Sequence, residues 1–352
     1  MLAGIVFIQW VVYVCGIMKT KIALITGGYT GESEVSFKSA EFVYGQLDQS
    51  KYDIYKITIT TDSWFHVGDN GVKYVINRDH FTLPMDGQVI RFDLAFIMVH
   101  GSPGEDGRLQ GYFDMVRLPY TSCDALTSAL TMNKAYTKAV LAGIPELYLA
   151  KSVQLFDAER ADAIDLVRRE LSLPYFVKPN AGGSSIGMTK VNAEDGLADA
   201  IEKAFNAENT GKQVIVEEFV KGREFSVGVY RRSGEIVVLP ATEVITEREF
   251  FDFEAKYVPG LTQEITPADL TSEQRERVER LVKAIYVRLN CKGMVRIDYF
   301  LERETDHFYF IEINTVPGQT AQSFIPQQVR AAGMTETAFY GELIEQALIG
   351  GR

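Results

Sequence analysis

The chain has 352 residues, 46% hydrophobic and 24% charged, enough for two or three domains of roughly 100 to 200 residues each with apolar cores. Its 36 Lys and Arg against 47 Asp and Glu leave a net charge of -11, which argues against a nucleic-acid or anionic-membrane partner, since both need a basic surface. Three widely spaced cysteines (Cys15, Cys123, Cys291) and four histidines make neither a disulfide framework nor a zinc motif, and they fit a reducing compartment.

Residues 1–16 are apolar and carry no charge. They lack a basic leader and a small-residue cleavage site, and they are shorter than the roughly 20 residues of a spanning helix. Met18 is the expected functional start, because Met18-Lys-Thr-Lys-Ile-Ala-Leu-Ile-Thr-Gly-Gly opens like the first strand of an α/β domain, leaving 1–17 as a non-native or disordered extension. A strand at 22–26, the turn Gly27-Gly28-Tyr-Thr-Gly31 and a helix with Val35, Ser39, Phe42, Val43 and Leu47 on one face follow. Apolar runs at 52–59 and 93–99 complete a doubly wound sheet, a Rossmann-like outline without the Gly-x-Gly-x-x-Gly of a dinucleotide site.

Beyond Pro119 the periodicity predicts a helical segment over about 126–142 with Lys134 and Lys138, ended by Gly143 and Pro145. Strands at 174–178 and 214–219 flank a helix at 193–205. Residues 242–266 are polar and aromatic without a clear period, as in a lid. Thr271-Ser-Glu-Gln274 reads as a capping box before a helix with Val278, Leu281, Val282, Ile285, Tyr286 and Leu289 on its apolar face.

The last sheet segment reads as a hairpin, 294–301 and 308–314 around the polar run 302–307. Strand side chains alternate, so Arg296 and Asp298 share one face, as do Glu312 and Asn314, while Ile297, Tyr309, Ile311 and Ile313 point the other way. A turn centred on Thr305 sets Asp298 opposite Glu312 and Arg296 opposite Asn314. Opposed carboxylates repel unless a cation lies between them, and two carboxylates with an amide carbonyl suit a hard cation such as Mg2+. A solvent-facing polar strand face is the alternative.

Two further segments carry chemistry. Lys178 at a strand end precedes Pro-Asn-Ala-Gly182-Gly183-Ser184-Ser185, a turn that offers N–H groups and hydroxyls to phosphate oxygens. It is not a P-loop, because Met188 stands in the lysine position. Glu217-Glu218-Phe219-Val220-Lys-Gly222-Arg-Glu224 leaves an apolar strand and bends at Gly222, as an interdomain hinge carrying a nucleotide base would.

The order of Lys178, the glycine turn, the acidic strand end and the Asp298, Glu312, Asn314 cluster resembles the ATP-grasp superfamily. His100-Gly-Ser-Pro-Gly104-Glu105-Asp106-Gly107-Arg-Leu-Gln110-Gly111 narrows this, for it resembles the signature of D-alanine:D-alanine ligases. Gly27-Gly28 with Glu32 and Glu34-Val35-Ser36, the 253–257 segment, and Glu312-Ile-Asn314-Thr-Val-Pro-Gly318-Gln-Thr320 with Ser323 match the same family. Ser33, Ala181-Gly182 and Asn133 depart from its usual residues, but none removes a reacting group.

The resemblance implies a mixed α/β and α+β architecture: a Rossmann-like pre-ATP-grasp substrate domain (18–122), a central ATP-grasp lobe (123–217) and a C-terminal ATP-grasp lobe (218–352). It implies a cytoplasmic homodimer that joins two D-alanines through a D-alanyl phosphate, for peptidoglycan precursors. Two Mg2+ or Mn2+ ions would sit on Asp298, Glu312 and Asn314. Lys134, Lys178 and Lys256 would grip phosphates with the turn serines Ser184 and Ser185, and Glu217, the Glu218 and Val220 backbones and Glu224 would bind adenosine. Arg296 and Gly318 would form the oxyanion hole; Glu32, linked through Ser184 to Tyr257, and His100 would hold the first D-alanine, and Ser323 and Phe324 the second. Glu105 and Asp106 read as loop scaffolding. Two other readings stand beside this one: a ligase using D-lactate or D-serine as nucleophile, and a nucleotide-binding regulator without turnover.

Overall fold

The structure is a computed structural model and describes residues 19–183, 186–207, 212–246 and 262–350. The first unit holds β1 (Thr20–Gly27), α1 (Ser33–Gln46), β2 (Tyr52–Ile59), β3 (Trp64–Val67), β4 (Lys73–Val75), the hairpin β5 (Thr82–Met85) and β6 (Gln88–Arg91), and β7 (Leu94–Ile97). Its sheet runs β4-β3-β2-β1-β7, with β1 parallel to both β2 and β7. Ile22 to Ile25 are buried on both faces, which is why the strand reads as an unbroken apolar run. The chain leaves β1 through Gly27 at φ 95°, where a Cβ would lie 2.4 Å from the Ile59 carbonyl oxygen. Ser36 then ties this turn to β7's extension, accepting from the Gly27 N–H at 2.9 Å and donating to the Met98 carbonyl at 2.6 Å.

α2 (Arg108–Val116), α3 (Ala125–Met132) and α4 (Lys134–Leu141) follow. The single helix expected over 126–142 is therefore broken at Asn133, which is extended (φ -92°, ψ 103°) and caps α4 by accepting from the Tyr136 N–H. Tertiary bonding drives the break: the Lys134 N–H donates to the Asn180 carbonyl at 3.0 Å, and Asn180 Nδ2 donates to Asn133 Oδ1 at 2.8 Å.

Next come β8 (Leu147–Leu149), β9 (Ser152–Phe156), α5 (Ala163–Glu170), β10 (Tyr175–Pro179), β11 (Thr189–Val191), α6 (Leu197–Phe205) and β12 (Gln213–Glu218). The antiparallel sheet β11-β10-β12-β9 packs on α5 and α6 and keeps its own core around Val167, Tyr175, Val177, Ile201 and Val214. The chain ends with β13 (Gly222–Arg232), β14 (Glu235–Val238), β15 (Thr242–Thr246), β16 (Thr262–Ile265), α7 (Ser272–Arg288), β17 (Val295–Glu302), β18 (Phe308–Asn314), α8 (Phe324–Ala331) and α9 (Glu336–Gly350). Their sheet runs β16-β15-β13-β17-β18-β8, with β14 beside β13. The capping box before α7 forms as expected, Gln274 N–H to Thr271 Oγ1 and Thr271 N–H to Gln274 Oε1.

Packing divides the chain differently from the lobe boundaries at 123 and 218. β8 pairs with β18, and Cys123, Leu141 and Ile144 lie in the core of the C-terminal sheet, because helices α3 and α4 have their apolar sides against it. In turn Ile325, Val329, Phe339 and Tyr340 of α8 and α9 share the N-terminal core with Ile22 and Phe96. The segment 242–266, read as irregular, begins and ends as the antiparallel pair β15 and β16; residues 247–261 lie outside the described residues. Residues 1–17, expected as an extension, also lie outside them. No helix among the described residues is long and apolar enough to cross a membrane.

The loop after β7 is tied to the loop after β18. His100 Nδ1 donates to the Val316 carbonyl at 2.8 Å, and the Val316 N–H donates to Glu105 Oε1 at 3.2 Å. Glu105 Oε2 takes the Gly101 N–H at 2.7 Å, and Ser39 Oγ sits between His100 Nε2 and the Gln319 N–H. Glu105 is thus loop scaffolding, as expected. Burial, followed by the nearby Glu32 charge, pushes its carboxyl up from 4.5 to about 8, against the pull of both N–H groups and Arg296. The folded state therefore holds a proton that the unfolded chain releases, so this contribution to stability is complete below pH 4.5 and is lost as pH rises through 8. Urea unfolding of wild type and Glu105→Gln between pH 5 and 8 checks this. The wild type should lose up to about 1.4 kcal/mol per pH unit relative to the variant, and a pH-independent difference would contradict it.

Candidate active site

A cleft of about 840 Å³ lies between the antiparallel sheet and the rest of the chain, lined by Glu32 and His100, by Lys134 and Lys178, and by the β17/β18 wall. The wall has the expected register, Arg296 opposite Asn314 and Asp298 opposite Glu312. Past Asp298 it differs. Tyr299 pairs with Phe310, so Ile311 is an extra residue and the alternation of β18 reverses. Phe308 and Phe310 take the buried face with Tyr299, while Tyr309 and Ile311, expected on the core side, line the cleft. Aromatic stacking fixes the reversal, with the Tyr299 ring 4.2 Å from Phe308 and 5.3 Å from Phe225.

On the wall, Arg296 grips Asp298 with two nitrogens, Nε to Oδ1 at 2.9 Å and Nη2 to Oδ2 at 2.7 Å. Ser226 donates to Asp298 Oδ1, and Asn314 Nδ2 donates to Oδ2 at 3.2 Å. Burial would lower the Arg296 pKa, but Asp298 and then Glu312 and Glu105 overcome it and hold the guanidinium charged. The Glu312 carboxylate meets Lys134 at 3.4 Å, and Lys134 also donates to the Gly182 carbonyl at 2.8 Å. Asp298, Glu312 and Asn314 thus put oxygen donors along one wall, a set whose chemistry fits a hard divalent cation. No group of three or more His, Cys, Asp or Glu suited to a metal occurs among the described residues.

Glu217, next to last in β12, lines the cleft between two lysines, with Lys138 Nζ 2.5 Å from Oε1 and Lys178 Nζ 2.5 Å from Oε2. Burial raises the carboxyl, yet Lys178 and Lys138 together outweigh it and hold it at about 2. Burial also draws the Lys138 ammonium below its usual range, opposed by Glu217. Glu218 has its N–H bonded to the Lys151 carbonyl at 2.9 Å, so a contact from its backbone to a base would come from its carbonyl. Val220 and Glu224 also line the cleft.

The N-terminal unit reaches this cleft through Glu32. A Cβ on Gly101 would fall 2.7 Å from Glu32 Oε2, and one on Gly183 would fall 3.0 Å from Oε1, so glycine at both positions lets the carboxylate sit between two loops. His100 is buried and bonded at both ring nitrogens within the protein; burial lowers its pKa, and the Nδ1–H tautomer satisfies both bonds. His100 lines the cleft, and its bond to Val316 holds the chain two residues before Gly318. Ser323 precedes α8, where Oγ accepts from the Thr320 N–H at 2.9 Å, and the Arg296 guanidinium lies 5.5 Å from the Phe324 ring centre. Ser184, Ser185, Lys256 and Tyr257 lie outside the described residues.

Sequence reasoning did not assign Lys138, Ser226 or the Asn133, Asn180, Gln213 amide cluster to the site. Lys138 had a signal: it stands four residues after Lys134 and so on the same side of α4.

Comparison with known proteins agrees with this geometry. The family model described as D-ala D-ala ligase N-terminus matches residues 21–123, and that described as D-ala D-ala ligase C-terminus matches 142–347. The chain is 44% identical over 331 residues to a D-alanine--D-alanine ligase of Parabacteroides distasonis, covering 94% of this chain and 98% of that protein. It is 41% identical over 324 residues to one of Azobacteroides pseudotrichonymphae, covering 92% and 98%. Among solved structures, the VanG D-Ala:D-Ser ligase from Enterococcus faecalis superposes with a TM-score of 0.84 at 31% identity, covering 94% of this chain and all (100%) of that one. D-alanyl-alanine synthetase A from Vibrio cholerae gives 0.83 at 28%, covering 95% and 100%. Matched in order over both halves, the chain belongs to the D-alanine:D-alanine ligase family.

Proposed function

We propose that the chain is an ATP-dependent ligase that joins two D-alanines into D-alanyl-D-alanine for peptidoglycan precursors, releasing ADP and phosphate. The observation that carries this reading is the β17/β18 wall, which sets Arg296, Asp298, Glu312 and Asn314 side by side across from Lys134 and Lys178. A carboxylate is a poor acyl donor. One D-alanine carboxylate therefore attacks the γ-phosphorus of ATP and becomes an acyl phosphate, and the amine of a second D-alanine attacks its carbonyl carbon. The tetrahedral oxyanion collapses as phosphate leaves.

Lys134 and Lys178, which line the cleft, would hold nucleotide phosphates, and Glu217 with the Glu218 and Val220 backbones would meet the base. Asp298, Glu312 and Asn314 would hold Mg2+ or Mn2+, two ions in this reading; such ions neutralise phosphate charge when bound. Arg296 and the Gly318 N–H face the developing oxyanion, one such donor being worth about 3 kcal/mol in the barrier. Glu32 suits the ammonium of the first D-alanine, and the start of α8 at Ser323 and Phe324 suits the carboxylate of the second. Ser184, Tyr257 and Lys256 complete the reading from the family's pattern. A cytoplasmic homodimer belongs to the same proposal.

A ligase that takes D-serine as second substrate is a specific alternative, since a solved structure at 31% identity is named for that activity. Mass spectrometry after incubation with ATP, Mg2+ and D-alanine, alone or with equimolar D-serine or D-lactate, separates them. D-alanyl-D-alanine should dominate every mixture, L-alanine should give no product, and a dominant mixed product would shift the assignment to the alternative. Glu312→Gln should lower kcat by about 100-fold or more, in line with losing a metal ligand, while its circular dichroism melt stays close to wild type. Near-normal turnover in that variant would remove Glu312 from the metal set.

A further inference from the structure

Lys138 is a buried cation to which the proposed reaction gives no task. It lies on α4, whose Leu141 packs into the core of the C-terminal sheet, and its side chain is 7% exposed. Its ammonium donates to the Ala150 carbonyl at 2.6 Å and to Glu217 Oε1 at 2.5 Å. Glu217 belongs to the other sheet, on β12, where it pairs with Ser152 of β9. Lys178 holds the second oxygen of Glu217, but Lys178 lines the cleft and Lys138 does not. The two lysines are therefore unequal. A nucleotide phosphate can compete for Lys178, whereas Lys138, outside the cleft lining, is anchored behind the carboxylate by the Ala150 carbonyl.

We propose that Lys138 is a positioning residue for base selection, fixing Glu217 as an acceptor-only carboxylate so that the site takes a purine with a 6-amino donor and rejects a 6-oxo purine. The inference rests on the reading that Glu217 meets the nucleotide base. Without Lys138, Glu217 would share its remaining lysine with phosphate, and a buried carboxyl with so little compensation takes up a proton. A protonated carboxyl can donate to a 6-oxo group, so selectivity falls for a chemical reason and not through general loosening.

The test compares kcat/KM for ATP and ITP, with D-alanine and Mg2+, in wild type, Lys138→Met and Lys138→Arg. Each ratio is read on one preparation, so the folded fraction cancels. Lys138→Gln, which keeps a donor for the Ala150 carbonyl, serves the same comparison where methionine does not fold. Wild type should prefer ATP by about tenfold or more, in keeping with one charge-assisted hydrogen bond. The neutral variants should bring the ratio down by about the same factor, mainly through KM, and arginine should restore part of it. Equal losses on both nucleotides, with the ratio unchanged, would leave Lys138 a purely structural tie and overturn the inference. A wild type that forms D-alanyl-D-alanine equally well with ATP and ITP would overturn the Glu217 reading and this inference with it, while leaving the ligase activity standing.

Discussion

A charge withdrawn from water must find a partner, and in this cleft the partners of Glu217 and Glu312 come from other elements of the chain. Glu217 on β12 is held by Lys138 from α4 and Lys178 from β10, Asp298 by Arg296 along β17, and Glu312 on β18 by Lys134 at the start of α4. In the most buried set, Glu217 with its two lysines, removing one member leaves an uncompensated charge, which typically costs about 3 to 5 kcal/mol. The pairs therefore fix the relative placement of the elements more than they add net stability. They also set the terms of ligand binding, since phosphate oxygens that take up Lys134 or Lys178 compete with Glu312 or Glu217 for the same ammonium.

The two walls of the cleft are built differently. The β17/β18 wall has its apolar side in the core of the C-terminal sheet, and β13 of that sheet adds Tyr230 to the core that the N-terminal unit shares with α8 and α9, where Tyr340, packed 5.8 Å from the Phe96 ring, also donates to Gln319 Oε1 at 2.9 Å. The opposite wall, the sheet of β9 to β12, has a core of its own. The ties named between them are polar: Lys138 to Glu217, Lys134 to Gly182, and the Asn133, Asn180, Gln213 amides. Apolar contacts do not depend on charge, whereas ion pairs across a cleft respond to a polyanionic ligand.

The hairpin register was legible because strand alternation is a strict period of two and the polar run at 302–307 marked the turn. The reversal at Ile311 was not, because it depends on Tyr299 stacking between Phe225 and Phe308, which come from other strands. The break at Asn133 escaped for the same reason: residues 126–142 carry helical periodicity throughout, and it is Asn180, distant in sequence, that ends one helix and starts the next. The Thr271 capping box, local to four residues, was read correctly. His100 was visible as a chemistry-bearing residue, but its partners Ser39 and Val316 lie 61 and 216 residues away. Motifs thus located the site, while the bonding of each side chain within it depended on tertiary neighbours that periodicity does not report.

The balance of charge in the cleft bears on the form of nucleotide it can accept. Among the described lining residues, Lys38, Lys134, Lys178 and Arg296 face Glu32, Glu105, Glu217, Glu218, Glu224, Glu264, Asp298 and Glu312. Even with Glu105 kept neutral by its burial, acids outnumber bases, on a chain whose net charge is already -11. A bare triphosphate would meet repulsion from such a surface. Divalent cations bound with the phosphates would reverse that balance locally and would also relieve the opposition of Asp298 and Glu312. The acidic excess that argues against nucleic acid as a partner is thus compatible with a nucleotide substrate, provided that the nucleotide enters as its metal complex.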